Sequence, residues 1–180
     1  MALLSLDPGL RRCGYALCRD ARRGGGAGVE ALGWVTSAGG AAPAPAPAPP
    51  PAPLPPAAER ALALPAAVAL RLAAAHGARG VVVGHPLDPL GGRSGAACAF
   101  AEALAARLQA AASSGGPAVL LWDERGSSVR ARQGLRSARL AQRGGARPRA
   151  HLPAALGGQV DQAAATVILE SFLCAHAPLQ

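Results

Sequence analysis

Acidic side chains are scarce in this 180-residue chain, ten against eighteen basic ones, so the places they occupy are informative. Asp7 closes the apolar run that opens the chain, Glu124 stands just past the apolar run from Ala118 to Trp122, and Asp161 begins the last Ala-rich helical stretch. In an open α/β sheet, ligands gather outside the strand ends, where carboxylates distant in sequence can converge. Three carboxylates in one place repel one another unless a cation neutralises them. Hard oxygen donors with open positions suit Mg²⁺ or Mn²⁺, with water and substrate phosphate completing the shell. Each residue also has a plainer reading. Asp7 precedes Pro-Gly, as turn-forming aspartates do, and Asp161 matches the positive end of a helix dipole. Asp123 and Glu124 are neighbours on a strand and face opposite ways, so only one of them can point into a shared site.

The elements that must position these acids follow from apolar pattern and punctuation. Met1 to Leu6, then Cys13 to Cys18 across a Gly-containing turn, reads as a hairpin, and Val29 to Thr36 as a third strand. From Gly39 to about Ala58 the composition collapses to Ala, Pro and Gly, which favours an extended, disordered insertion. Glu59 to His76 supports a helix that Pro65 either kinks or restarts. Two short apolar strands, Gly80 to Gly84 and Ala118 to Trp122, flank a helix over Ser94 to Ala112. A basic helix from Ser127 to Arg143, a Gly-Pro-Arg loop and a final helix from Gln159 to Ala175 complete the chain. Alternating helices and buried apolar strands predict an α/β sheet covered on both faces.

Length predicts one domain over 1–180 with one core. All eighteen basic residues are Arg, and the formal charge of +8 predicts attraction to polyanions, nucleic acid first among them. Arg in place of Lys is also what GC-rich codon usage produces, which explains the kind of base better than the excess. Cys13, Cys18, Cys98 and Cys174 show no paired spacing and no His at ligand spacing, so buried free thiols are expected rather than a zinc site or disulfides. No apolar run is long enough to span a bilayer, and a strand begins almost at once. A cytoplasmic protein is therefore expected, with an organelle open should the N-terminus be incomplete.

Four blocks resemble the YqgF family of pre-16S ribosomal RNA maturation nucleases, in that family's order. They are Leu6-Asp7-Pro8-Gly9 with Arg12-Cys13-Gly14, Val83-Gly84-His85-Pro86-Leu87, Asp123-Glu124-Arg125 with Ser127-Ser128, and Val160-Asp161-Gln162-Ala163-Ala164 with Ile168-Leu169. The family is similar to the RuvC Holliday-junction resolvases. The resemblance implies a ribonuclease-H-like fold, a central mixed five-stranded sheet flanked by helices. It also implies that Asp7, Glu124 and Asp161 are metal-binding catalytic carboxylates around two divalent ions. Arg11, Arg12 and Arg125 are candidates for gripping phosphates beside the cut. The Arg-rich tract from Arg130 to Arg149 is a candidate nucleic-acid track or a solvated face. Ser127 and Ser128 are expected to cap the following helix rather than act as nucleophiles.

The chain departs from the family pattern at three places. Gly126 stands where Leu is usual and is expected to loosen the turn. His85 replaces Leu; contact with phosphate or metal is open to it, and a peripheral histidine tolerated near the site is the favoured reading. Arg130 removes an acid that would complete a capping box. The expected activity is metal-dependent endonucleolytic cleavage of structured RNA, by a monomer or homodimer that does not bind membranes. Rival readings are a RuvC-like resolvase of branched DNA, a non-catalytic RNA-binding assembly factor, and a sugar-kinase-like ATPase, for which the chain has little room.

Overall fold

The first strand, β1 (Ala2–Pro8), is buried along its whole length because it is the central strand of the sheet. The computed structural model describes residues 2–19, 29–36, 56–87, 95–112, 115–142 and 157–176. β1 pairs antiparallel with β2 (Arg12–Cys18), which pairs antiparallel with β3 (Val29–Thr36). On its other side β1 pairs parallel with β4 (Ala78–His85), and β4 pairs parallel with β5 (Ala118–Asp123). The strand order is β3-β2-β1-β4-β5, the mixed five-stranded sheet expected.

Strand alternation divides the core. Leu4 and Leu6 of β1, with Val81 and Val83 of β4, pack against Leu62 and Ala66 of α1 (Pro56–His76) and Leu104 and Leu108 of α2 (Gly95–Ala111). On the opposite face Leu3, Ala16 and Cys18 pack against Ala165 and Leu169 of α4 (Gly157–Ala175). Helix α3 (Ser127–Gln142) lies against α4. Small residues let α4 settle close to the sheet. Ser5 sits at the contact, fully buried, and its hydroxyl donates to the Ala165 carbonyl at 2.7 Å.

The observed elements follow the predicted order, with differences at their edges. The Pro-Ala insertion is largely outside the described residues, but its last three positions, 56–58, already belong to α1, where Pro56 occupies a first-turn position that needs no N–H partner. Pro65 lies inside this one helix and is fully buried. The expected Gly-Pro-Arg loop lies outside the described residues up to 156, and α4 begins at Gly157. β5 is not the buried strand its apolar run suggested, because it is the sheet edge: Leu120 and Leu121 are 49% and 42% exposed. Three cysteines are buried free thiols as expected, whereas Cys174 is exposed. No helix among the described residues is long and apolar enough to cross a membrane.

Candidate active site

β1, β4 and β5 run parallel, so their C-terminal ends open on one side of the sheet. Asp7 is two residues beyond Ser5 on β1 and therefore shares its face, the one covered by α4. It is a strand residue, 9% exposed, and its carbonyl also accepts the Gly9 N–H at 3.0 Å, so it ends the pairing and opens the Pro-Gly turn. Glu124 follows β5 directly; its N–H donates to the His85 carbonyl at 3.2 Å, which extends the pairing with β4 by one step. Its side chain is buried and meets that of Asp7 in a hydrogen bond. Asp161 lies beyond the first turn of α4, which weakens the helix-dipole reading of it.

Two glycines make room for this meeting. A Cβ on Gly14, the residue opposite Asp7 on β2, would collide with the Asp161 backbone carbonyl. A Cβ on Gly84 would collide with Glu124 Oε2 and would lie 2.7 Å from Ile168 Cδ1. The backbone of β2 thus carries the start of α4, and the side chain of Glu124 reaches across β4.

The electrostatics are those of crowded acids. Burial first, then the negative charge of Asp161, pushes the Asp7 carboxyl up to about 7. Burial, then the charge of Asp7, pushes Glu124 up to about 9. Burial also raises Asp161, against the opposing pull of Arg12 and Arg132. Glu124 Oε2 and Asp161 Oδ2 are buried without a hydrogen-bond donor, although Arg12 Nε stands 3.3 Å from the latter as an ion-pair partner. Buried carboxylate oxygens lacking donors are costly unless a proton or cation compensates them. An all-oxygen set with two orphaned atoms fits a hard divalent cation.

Asp123, the alternative to Glu124, faces the other side of the sheet. Its carboxylate accepts from Arg125 at 2.7 Å and 2.8 Å, and this guanidinium holds its pKa below the usual range. Of the candidate phosphate ligands, Arg11 is exposed, Arg12 is paired with Asp161 and lies 5.7 Å from the Trp34 ring centroid, and Arg125 is paired with Asp123. Beside Asp161, an open groove of about 610 Å³ runs between α3, α4 and β3, lined by residues that include Arg130, Gln159, Gln162 and Thr166. Of the Arg-rich tract, residues 143–149 lie outside the described residues.

The turn into α3 corrects one expectation. Gly126 has φ +75°, a left-handed conformation that a leucine would adopt only with strain, so glycine here suits the turn instead of loosening it. Ser127 opens α3, and its N–H donates to the Glu124 carbonyl at 2.8 Å.

A model of the RuvX family, described as Holliday junction resolvase, matches residues 53–175. The chain belongs to the RuvX family. This is the YqgF family whose motif blocks the sequence carries, and it is a nuclease family. Among solved structures, this RuvX-family chain is similar to Thermus thermophilus RuvC in complex with a Holliday junction substrate. The match has 17% identity and a TM-score of 0.51, and covers 97% of this chain and 94% of that one. A second Thermus thermophilus RuvC structure matches at 18% identity and a TM-score of 0.50, over 97% and 95% of the two chains. At such identities the likeness shows the fold, which is ribonuclease-H-like as expected. No curated protein sequence gives a significant match.

The sequence reading missed one cluster. It found no histidine at ligand spacing from a cysteine, yet His85 Nε2 lies 3.0 Å from Cys98 Sγ and 3.1 Å from Glu102 Oε1. Cys98 and Glu102 are one helical turn apart on α2, a spacing visible in the sequence; that His85 faces them follows only from the register of β4.

Proposed function

We propose that this RuvX-family chain is a divalent-metal-dependent endonuclease that hydrolyses phosphodiester bonds in structured RNA, with 5′-end maturation of the 16S ribosomal RNA precursor as its task. The observation that carries the reading is the meeting of Asp7, Glu124 and Asp161 at one strand end, with buried oxygens that lack donors. These three carboxylates would hold Mg²⁺ or Mn²⁺. Bound there, the ions supply Lewis-acid charge to the phosphate and acidify an attacking water.

The chain's own groups have separate tasks. Asp7 and Glu124 give up the proton they share when positive charge enters, and Arg12 keeps Asp161 oriented from its flank. Arg11, Arg12 and Arg125 bind phosphates beside the cut, and the groove along α3 and α4 with Arg130 accepts the continuing strand. No side chain serves as a nucleophile, so water attacks directly.

Branched DNA is the second reading, favoured by the family's description and by the junction bound to the RuvC neighbour. Purified protein is offered ribosomal RNA precursor and a four-way DNA junction, each with Mg²⁺, beside Asp7→Asn, Glu124→Gln and Asp161→Asn. Cleavage of the precursor by the parent, lowered about a hundredfold or more in each variant while RNA binding persists, is expected. Preferential junction cutting would move the assignment to DNA, and parent-level cutting by all three variants would remove these residues from the chemistry. RNA binding without any cleavage would indicate an assembly factor.

A further inference from the structure

The strand end that carries the acids has a second face. Val81, Val83 and His85 of β4 point toward α1 and α2, away from α4, and His85 is only 8% exposed. From α2, Cys98 and Glu102 approach the same ring nitrogen, Cys98 almost fully buried and Glu102 open enough to admit an ion from solvent. The three potential ligand atoms all lie within 4.8 Å of one another. We propose that His85, Cys98 and Glu102 form a binding site for a thiophilic divalent cation, Zn²⁺ by its chemistry, on the opposite face of the sheet from Asp7, Glu124 and Asp161.

Three arguments carry this. Nε2 offers one N–H or one lone pair, so it cannot serve a sulfur at 3.0 Å and an oxygen at 3.1 Å equally well; a cation between them takes up all three donors. A tetrahedral zinc with bonds of about 2.0–2.3 Å sets its ligand atoms roughly 3.3–3.6 Å apart, so the two contacts of His85, at 3.0 Å and 3.1 Å, need to open by only a few tenths of an ångström. The donor set also selects the ion, because thiolate and imidazole favour zinc over the hard cations suited to the carboxylates.

Three protein ligands leave a fourth position for water. The register neighbour of His85 on this face, Asp123, is engaged by Arg125. Binding releases the Cys98 thiol proton and turns Cys98 into a thiolate ligand, so affinity rises with pH. The His85 carbonyl holds the Glu124 N–H, so an ion on this face also steadies the backbone that carries Glu124.

The test titrates the full, metal-stripped chain with Zn²⁺ by calorimetry, and with Co²⁺ by absorbance, since a sulfur-to-cobalt charge-transfer band reports a thiolate ligand. The expected result is one such site per chain in the parent. The band persists in Asp7→Asn and in Cys174→Ser, the exposed cysteine, and is lost in Cys98→Ser. Loss of an outer partner of a metal ligand costs about tenfold or more in affinity, so Glu102→Gln, which removes a ligand itself, is expected to weaken Zn²⁺ at least that much. A parent without the band, or a band that survives Cys98→Ser, overturns the proposal. Should circular dichroism show Cys98→Ser to be unfolded, Glu102→Gln decides: unchanged Zn²⁺ affinity overturns the site.

Discussion

Asp7 and Glu124 are caught between burial and each other's charge, and this makes the cation-free protein sensitive to pH. In an unfolded chain both carboxyls titrate at about 4, whereas in the folded protein Asp7 is raised to about 7 and Glu124 to about 9. The folded state therefore holds protons that the unfolded state has released, and stability falls as pH rises from about 4 toward those values. Thermal melts without divalent ions are expected to show a smaller fall between about pH 5 and about pH 8 in Asp7→Asn than in the parent. Added Mg²⁺ should raise the parent's melting temperature more at the higher pH; an equal rise at both would argue against ion binding at these acids. At this scale the sequence was informative because Asp7 and Glu124 end apolar runs and Asp161 lies near the start of a packed helix. Strand alternation said that only one of Asp123 and Glu124 enters the site, and the family pattern selected Glu124. The His85 cluster was not legible, since it depends on which face of β4 looks at α2.

The turn between β5 and α3 is where element geometry contradicted a reading based on residue type alone. Gly126 looked like lost anchorage, but its positive φ makes it the residue the turn suits. Restoring the family's residue by Gly126→Leu is expected to lower stability by about 1–2 kcal/mol in urea unfolding, and a stabilised variant would return the loosening view. Gly14→Ala presents a different case, in which a methyl meets the Asp161 backbone. The expected cost is about 1–3 kcal/mol, with loss of cleavage as α4 is pushed off β2. The order of elements was readable from apolar runs broken by Gly and Pro. The exposure of β5 was not, because a short apolar run looks the same at the edge of a sheet as at its centre.

The whole molecule carries a formal charge of +8, and its partner should feel that charge as a salt dependence. Each phosphate neutralised contributes about −0.7 to −0.9 to the slope of log affinity against log salt. Arg11→Ala is expected to flatten that slope by about one contact in filter-binding titrations, and an unchanged slope would place Arg11 off the nucleic-acid path. The mixed sheet itself was implied by the motif blocks, although composition alone gave only an α/β protein. Its strand order has a further consequence for the chemistry at its end. With β4 lying between β1 and β5, the sheet works as a ruler: whatever reaches Asp7 from the far strand must cross one strand's width over Gly84. A glutamate spans that gap and an aspartate stops one methylene short, so side-chain length at position 124 is dictated by the weave of the sheet as much as by the need for charge.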